Sequence, residues 1–299
     1  MTHEQETKDT SAAPSHPTDA QGKPAAPGGQ GKTRQHDKVT RMGTESIPRL
    51  ITEFAIPSIL GMLVNGAYNV IDSIFLGQAM GEIGLSTATV AMPVMTVFMA
   101  IAMLVGNGGN ALAALRMGEG KPEEAERSLG NTVTLSLVAS VVVAIVMFVP
   151  ACIDGLLSVS GATPEDWDYA MQFIRIISLG FIFQCIGMGV NNFIRTAGAP
   201  NRALGTMIIG AVACTAFNAL FVLVMGMGVV GSALATVCGQ AISCATVLWY
   251  FCLTKGVPMR LRLRMMPLHG ETVRLILSLG LASFAVQAGM AVVNFVINH

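Results

Sequence analysis

Seven apolar runs, each about as long as a membrane-spanning helix, follow one another along this chain. They cover about 50 to 77, 87 to 115, 129 to 151, 168 to 194, 202 to 225, 229 to 253 and 272 to 297. A helix needs about 20 apolar residues to cross the roughly 30 Å hydrocarbon core of a bilayer. Only 12% of the residues are charged, against about 25% in soluble domains. The sequence therefore predicts an all-α polytopic membrane protein.

Basic residues are segregated along the chain. If the loops alternate between the two membrane sides, all but one of the 18 Lys and Arg fall in the tail and in the second, fourth and sixth loops. The outer loops carry acids instead, namely Glu82, Asp154, Glu165 and Asp166. Cytoplasmic loops are enriched in Lys and Arg. This pattern predicts a multi-pass protein of the cytoplasmic (inner) cell membrane with its amino terminus in the cytoplasm.

The seventh run resembles the first. Placed 225 positions back, RLILSLGLASFAVQAGMAVVN falls on RLITEFAIPSILGMLVNGAYN, and Arg, Leu, Ile, Ser and Asn coincide. Because six helices separate the copies, the pattern indicates parallel repeats of a two-lobe protein. We expect a disordered cytoplasmic tail at 1–45, a six-helix lobe at 46–254, a basic cytoplasmic linker at 255–271, and the first helix of an incomplete second lobe at 272–299.

One acid lies deep within an apolar run, and this acid is Asp72. A charged residue near the bilayer centre costs about 2.5 to 3.5 kcal/mol on insertion scales, so it should face protein or water. Burial away from water favours uptake of a proton or a cation by such a carboxylate. The alternative is an Asp that only holds neighbouring helices together. The polar residues expected to line a substrate cavity, if they do not simply bond across helices, are Asn65, Tyr68, Asn69, Gln184, Asn191 and Gln287.

Other polar motifs indicate packing rather than chemistry. The stripe of Ser232, Thr236, Gly239 and Ser243 has the spacing of close helix contacts. The run GNGGN at 106–110 lacks the Lys-Ser/Thr pair of a nucleotide site. The cysteines show no CxxC pair, and the histidines lie outside the apolar runs, so we expect no metal site and no catalytic residue. Nothing in the composition supports binding of nucleic acid.

Three segments resemble the MATE (multidrug and toxin extrusion) transporters, especially the MepA-like bacterial branch. They are IPSILGMLVNGAYNVIDSIFLGQAMGEIGLSTATVAMPV (56–94), FIRTAGAPNRAL (193–204) and GMGVVGSALATVCGQ (226–240). The resemblance implies twelve helices in two lobes around a central cavity, with the present chain truncated after the seventh helix. It also implies export of drugs or metabolites in exchange for protons or sodium, with no other cofactor, in a protein surrounded by lipid and monomeric when full length.

The resemblance also implies a coupling site. In the family an acid of the first helix helps to bind the coupling cation, and Asp72 occupies the matching place. The partner positions fall on Cys214, Asn218 and Thr236, where Cys214 replaces an Asn and Asn218 replaces an acid. Because an amide cannot take up a proton, proton coupling in this lobe would depend on Asp72 alone.

Two alternatives to efflux stay open at this point. A flippase for lipid-linked oligosaccharides shares the fold superfamily, although it should have a strongly basic cavity that the apolar runs do not offer. A fragment of a transporter can also be inactive by itself. A membrane-embedded enzyme is the least favoured class, because one buried acid without a buried His or Lys does not make a catalytic centre.

Overall fold

The computed structural model describes residues 47–254, 257 and 259–298. Its helices are Ile47–Gly118, Pro122–Phe148, Pro150–Val159, Trp167–Thr196, Pro200–Asn218, Gly228–Leu253 and Gly270–Asn298, with a π-helical turn at Ala219–Val224 and a 3₁₀ turn at Leu263–Met265. The described part of the chain contains no strand. The prediction of an all-α fold is confirmed, while the predicted disordered tail lies outside the described residues.

Seven stretches of these helices are long and apolar enough to cross a membrane. In chain order, the first to seventh spans are Ala55–Gln78, Met80–Gly118, Pro122–Phe148, Trp167–Thr196, Pro200–Val224, Gly228–Leu253 and Gly270–Met290. Their number and order agree with the seven apolar runs of the sequence. The chain is therefore a multi-pass membrane protein.

The first two spans belong to one helical element and meet at Gly81. Gly81 has φ 61° and ψ −134°, which interrupts the helix at a single residue. Glycine adopts a positive φ at little cost because it has no Cβ. The helix thus continues through most of the interval between the first two apolar runs, and one glycine makes the break.

The third span begins at Pro122, seven residues before the apolar run that predicted it. Proline suits the first turn of a helix because its missing N–H would have no partner there. Glu123 and Glu124 follow in the same turn, where carboxylates interact favourably with the helix dipole. Residues that favour the start of a helix thus lengthen the third span beyond its apolar part.

Burial differs strongly among the spans. In the most apolar window of the fourth span, 61% of the residues are buried, against 12% in the first span and 11% in the seventh. The buried apolar residues form two clusters, one around Phe98 and Phe181 and the other around Phe193 and Phe251. The fourth span contributes to both clusters and lies at the centre of the bundle.

Asp166, which the loop pattern placed among the acids of an outer loop, is buried. Its carboxylate accepts hydrogen bonds from the hydroxyls of Ser86 and Thr163. These bonds connect the start of the fourth span to the second span. The charge pattern therefore located this acid on the chain but could not show that it stabilises a contact between helices.

Candidate functional site

The carboxylate of Asp72 lies where the first, fifth and sixth spans meet. The Asn218 Nδ2 group of the fifth span donates a hydrogen bond to Asp72 Oδ1 at 2.8 Å. The Ser232 hydroxyl of the sixth span donates to the same oxygen at 3.0 Å. Hydrogen bonds to a charged acceptor are about twice as strong as those between neutral groups. Asp72 thus connects three spans through one carboxylate oxygen.

Asn218 has bonding capacity left at this junction. Its side chain is only 1% exposed, and its Oδ1 atom has no hydrogen-bond partner among the described residues. Leaving a buried acceptor unpaired costs about 1 to 3 kcal/mol. Asn218 ends the α-helical part of its span, and the π-helical turn Ala219–Val224 follows directly. Such turns are rare and occur often at functional sites.

Three further side chains complete what we call the Asp72 cluster, and all of them are polar or polarisable. Tyr68 lies four residues before Asp72, and its hydroxyl is 3.3 Å from the Thr236 Oγ1 atom. The Cys214 Sγ atom is 3.6 Å from Asn218 Nδ2. The cluster consists of Tyr68, Asp72, Cys214, Asn218, Ser232 and Thr236.

The Asp72 cluster offers oxygen atoms of three kinds, namely carboxylate, amide and hydroxyl. Such oxygens are the ligands that hard cations prefer, and a carboxylate is also the group here that can take up a proton. The unpaired Asn218 Oδ1 atom is suited to either case, because it can accept a hydrogen bond or contact a cation. This set of atoms can therefore take up a proton or contact a cation.

The structure brings together the four residues that the resemblance proposed for cation coupling. Asp72, Cys214, Asn218 and Thr236 all belong to the Asp72 cluster, although they come from three spans. Sequence reasoning missed Ser232, which it assigned to a packing stripe. The available signal was its spacing, because Ser232 lies four residues before Thr236 and so shares its helix face.

The residues predicted for a cavity wall lie in different surroundings. Asn65, Gln184 and Gln287 are half-buried, and the side chain of Asn69 lies outside the described residues. Asn191 is not on a cavity wall: it is buried and donates to the Ala203 carbonyl at 3.1 Å and to the Thr206 hydroxyl at 2.6 Å. Its amide therefore connects the fourth and fifth spans, because in a packed interface a polar side chain is satisfied by the nearest helix.

A second polar junction occurs at the run GNGGN of the second span, which we call the GNGGN crossing (residues 106–110). Asn107 Oδ1 accepts from Asn192 Nδ2 at 2.8 Å, and Asn107 Nδ2 donates to the Ser283 hydroxyl at 3.1 Å. One amide thus connects the second span to the fourth and to the seventh. In addition, Thr196 donates to Asn110 Oδ1 at 2.7 Å.

The glycines of the GNGGN crossing allow close approach of backbones. A side chain on Gly106 would collide with Gly189 of the fourth span, and one on Gly108 would collide with the seventh span at Gly280. Small residues at such contacts let membrane helices pack closely. The run therefore lets the second span pack closely against the fourth and seventh spans.

These features define the class of the molecule as a polytopic helical membrane protein with polar junctions between its spans. A family model described as MatE matches residues 57–220, which is more than half of the chain. The chain belongs to the MatE family, whose members are transporters and not enzymes.

Curated relatives agree with this assignment. The chain is 23% identical over 257 residues to the multidrug export protein MepA of Staphylococcus haemolyticus, with 85% of this chain and 55% of the relative covered. It is 25% identical over 253 residues to the probable multidrug resistance protein YpnP of Bacillus subtilis, with 82% and 55% covered. The chain thus spans about half the length of the curated relatives that it matches.

Solved structures show the same fold. The MATE multidrug transporter DinF-BH superposes with a TM-score of 0.79 at 34% identity over 85% of this chain and 56% of its own. A MOP superfamily transporter from Pyrococcus furiosus superposes with a TM-score of 0.75 at 28% identity over 81% of this chain and 53% of its own. The described spans therefore have the fold of a MATE transporter over about half of its length.

Proposed function

We propose that this chain forms one lobe of a secondary active antiporter that exports cationic or amphipathic small molecules in exchange for protons or sodium. The observation that carries the proposal is the Asp72 carboxylate, bonded to Asn218 and Ser232 where three membrane spans meet. The multidrug relatives of the chain support the substrate class. In this proposal the protein lies in the inner membrane with its amino terminus in the cytoplasm, and it works as a monomer when full length.

Loading of Asp72 would couple ion uptake to a change of shape. A proton or sodium ion neutralises the carboxylate and weakens its hold on the Asn218 amide and the Ser232 hydroxyl, because hydrogen bonds to a charged acceptor are the stronger ones. The fifth and sixth spans can then shift relative to the first span. A bound ion can shift the balance between the two arrangements of the spans only as far as its affinities for these arrangements differ.

The substrate would bind beside this junction. The first span is the least buried span apart from the seventh, and it carries Asn65 and Tyr68 near Asp72. A mainly apolar wall with a few polar groups suits amphipathic cations. The half-buried side chains of Gln184 and Gln287 are further candidates for contacts with the substrate.

Dye transport in proteoliposomes tests the proposal. The chain, alone and extended by the second lobe of a related transporter, is reconstituted with a fluorescent cationic dye, and a proton or a sodium gradient is imposed. We expect the extended form to move dye with one of the gradients. The Asp72→Asn variant should lose this movement, whereas Asp168→Asn, which removes an exposed acid at the start of the fourth span, should retain it.

Each outcome has a defined meaning. Equal transport by Asp72→Asn and by the unchanged protein would contradict coupling through Asp72. Movement of a fluorescent lipid-linked oligosaccharide without movement of dye would favour the flippase. Dye movement by the extended form alone would mean that the present chain needs a second lobe.

A further inference from the structure

The segment between the sixth and seventh spans is an ordered strap, which we define as residues 259–269. Its sequence MRLRLRM alternates apolar residues with arginine from Met259 to Met265. Met259 is fully buried and Leu261 is half-buried, whereas Arg260, Arg262 and Arg264 are exposed. Residues 259–262 are non-helical, so their successive side chains alternate between two sides, and the 3₁₀ turn Leu263–Met265 follows. The strap therefore packs Met259 and Leu261 inward and exposes the three arginines.

Glu126 of the third span holds the arginine part of the strap. Its carboxylate accepts a hydrogen bond from the Arg260 backbone N–H at 3.0 Å and an ion pair from the Arg262 Nε atom at 3.1 Å. Glu126 is buried, whereas the side chain of Arg262 is 59% exposed. The carboxylate thus fixes the backbone and one arginine and leaves the neighbouring guanidinium groups of Arg260 and Arg264 outside.

The rest of the strap is held by the next two turns of the third span. The Asn131 Oδ1 atom accepts from the His269 N–H at 3.0 Å, and the Thr134 hydroxyl donates to the Met266 carbonyl at 2.9 Å. The missing side chain of Gly130 leaves room for the backbone of Met265. The strap is therefore fixed in position along its whole length.

These contacts place the strap beside the first turns of the third span. The third span starts at Pro122, so residues 126 to 134 lie about 6 to 18 Å along its axis. The strap also connects the end of one span at Leu253 to the start of the next at Gly270. The two headgroup regions together occupy about 10 to 15 Å of a bilayer beyond its hydrocarbon core, which is about 5 to 7 Å on each side. Glu126 lies within about that distance of the start of the third span, so Arg260 and Arg262, which it holds, are at the level of lipid headgroups.

The charge of the strap has little compensation. Residues 254–270 contain no Asp or Glu, and Glu126 pairs with Arg262. Among the described residues, Arg260 and Arg264 have no carboxylate partner. Leu268, outside the spans, is 46% exposed and adds an apolar contact beside the basic row. An arginine fork matches phosphate oxygens, and each basic residue near an anionic leaflet contributes about 1 kcal/mol.

We propose that the strap binds anionic phospholipid, with the Arg260 and Arg264 guanidinium groups on the headgroup phosphates. Glu126 is a positioning residue, because it holds the strap so that both arginines face the same leaflet. This binding surface is independent of the Asp72 cluster and of ion coupling.

Lipid retention by the purified full chain tests the proposal. The chain in detergent is titrated with phosphatidylglycerol, and bound lipid is counted by native mass spectrometry. The double variant Arg260→Gln/Arg264→Gln should lose about 25-fold in affinity, at about fivefold for each charge. The control Lys121→Gln/Arg202→Gln removes the same charge from two other exposed residues and should lose less than twofold.

The comparison lipids separate a specific surface from general attraction. Phosphatidylcholine should bind weakly and equally to all variants, and inorganic phosphate at the same concentration should not displace phosphatidylglycerol. Equal losses in the two double variants, or displacement by phosphate, would overturn the proposal.

The Glu126→Gln variant tests the role of the fixed strap. It removes a negative charge and frees Arg262, so attraction by charge alone would strengthen lipid binding. We expect a weakening of about fivefold instead, because the arginines lose their common orientation. Unchanged or stronger binding would overturn the positioning role, and far-ultraviolet circular dichroism checks that the variant is still folded.

Discussion

The Asp72 cluster and the GNGGN crossing are both polar junctions between membrane spans, yet they differ in what they can do. Asn107 uses both ends of its amide, one toward the fourth span and one toward the seventh. Asn218 uses its Nδ2 group and leaves Oδ1 unpaired beside an ionisable carboxylate. A neutral amide with a partner at each end holds the spans in one arrangement. A junction with an ionisable carboxylate and an unpaired acceptor oxygen can exist in a charged and in a neutralised state.

The two junctions also differ in how the neighbouring spans touch each other. At the GNGGN crossing the backbones touch, because a side chain on Gly106, Gly108 or Gly280 would collide with the neighbouring span. At the Asp72 cluster the spans are joined by side chains, and the first span is only 12% buried in its most apolar window. The first arrangement suits a rigid contact and the second a contact that moves. Five substitutions test this contrast.

The largest effect is expected for Gly280→Leu. Its side chain would collide with the backbone at Leu104, and overpacking of this kind costs about 3 kcal/mol. We expect the melting temperature, read with a thiol-reactive dye on the buried cysteines, to fall by about 10 °C. Gly289→Leu is the matched control, because nothing lies within 4 Å of its position for a Cβ. Equal melting temperatures would refute a rigid crossing.

The next effect is expected for Asn107→Asp. A charge in the middle of a span costs about 2.5 kcal/mol, and a carboxylate cannot donate to Ser283 as the amide does. The melting temperature should fall by about 5 to 10 °C. Asn201→Asp makes the same chemical change at an exposed position of the fifth span and should have no measurable effect. A stable Asn107→Asp variant would mean that the crossing tolerates charge as the Asp72 cluster does.

The reverse exchange, Asp72→Asn, should stabilise the chain while it abolishes coupling. Replacing the carboxylate by a neutral amide of the same shape removes the cost of a charge within a membrane span, and the new amide oxygen can still accept from Asn218 and Ser232. We expect a gain of about 1 kcal/mol, or about 2 to 4 °C in melting temperature. A clear loss of stability would show that Asp72 holds the spans together as a structural residue.

A smaller effect is expected for Ser232→Ala. This change removes one of the two hydrogen bonds to Asp72 Oδ1, and a bond between membrane helices contributes about 0.6 to 1.7 kcal/mol. The chain should stay folded, and the concentration of the coupling ion that gives half-maximal dye transport should shift. Ser158→Ala, which removes an exposed intrahelical bond, should leave that concentration unchanged. If both variants behave alike, Ser232 belongs to packing only.

The smallest effect is expected for Glu119→Gln, in the exposed turn after the second span. The hydrogen bond from Arg116, followed by that from Lys121, lowers the pKa of Glu119 from its ordinary value. The stabilisation is therefore present above the pKa of the unfolded chain, about 4.3, and is lost as the pH falls through the folded pKa. Melting temperatures of variant and unchanged chain should differ only slightly at pH 7, and this difference should disappear as the pH falls through the folded pKa of Glu119. A large difference at pH 7 would mean that this surface network fixes the spans.

Prediction from the sequence was most successful where one physical constraint dominates. The length of each apolar run is set by the thickness of the bilayer, so seven spans could be counted directly. Prediction was weaker at the ends of helices, because Pro122 and the acids that follow it extend the third span beyond its apolar part. A single glycine with positive φ, Gly81, separates the first two spans, where the apolar runs had indicated a longer loop.

Only some residues of the candidate site could be identified from the sequence. Asp72 could be found because an acid within an apolar run is rare, and the family resemblance added Cys214, Asn218 and Thr236. Ser232 could not be separated from a packing stripe, and Asn191 could not be separated from a cavity residue. Both distinctions depend on which neighbour lies across the helix contact, and periodicity along one helix does not contain that information.

The sequence by itself determined the class of the protein, the number of its spans and the presence of one acid deep within an apolar run. These follow from local hydrophobicity and from the cost of placing charge in a bilayer. Only the tertiary structure decided which polar groups meet. Asn218 and Ser232 both donate to the Asp72 carboxylate, Asn107 has a partner at each end of its amide, and Glu126 holds the strap. Hydrogen bonds and backbone contacts extend over a few ångströms, so packing of distant segments decides them.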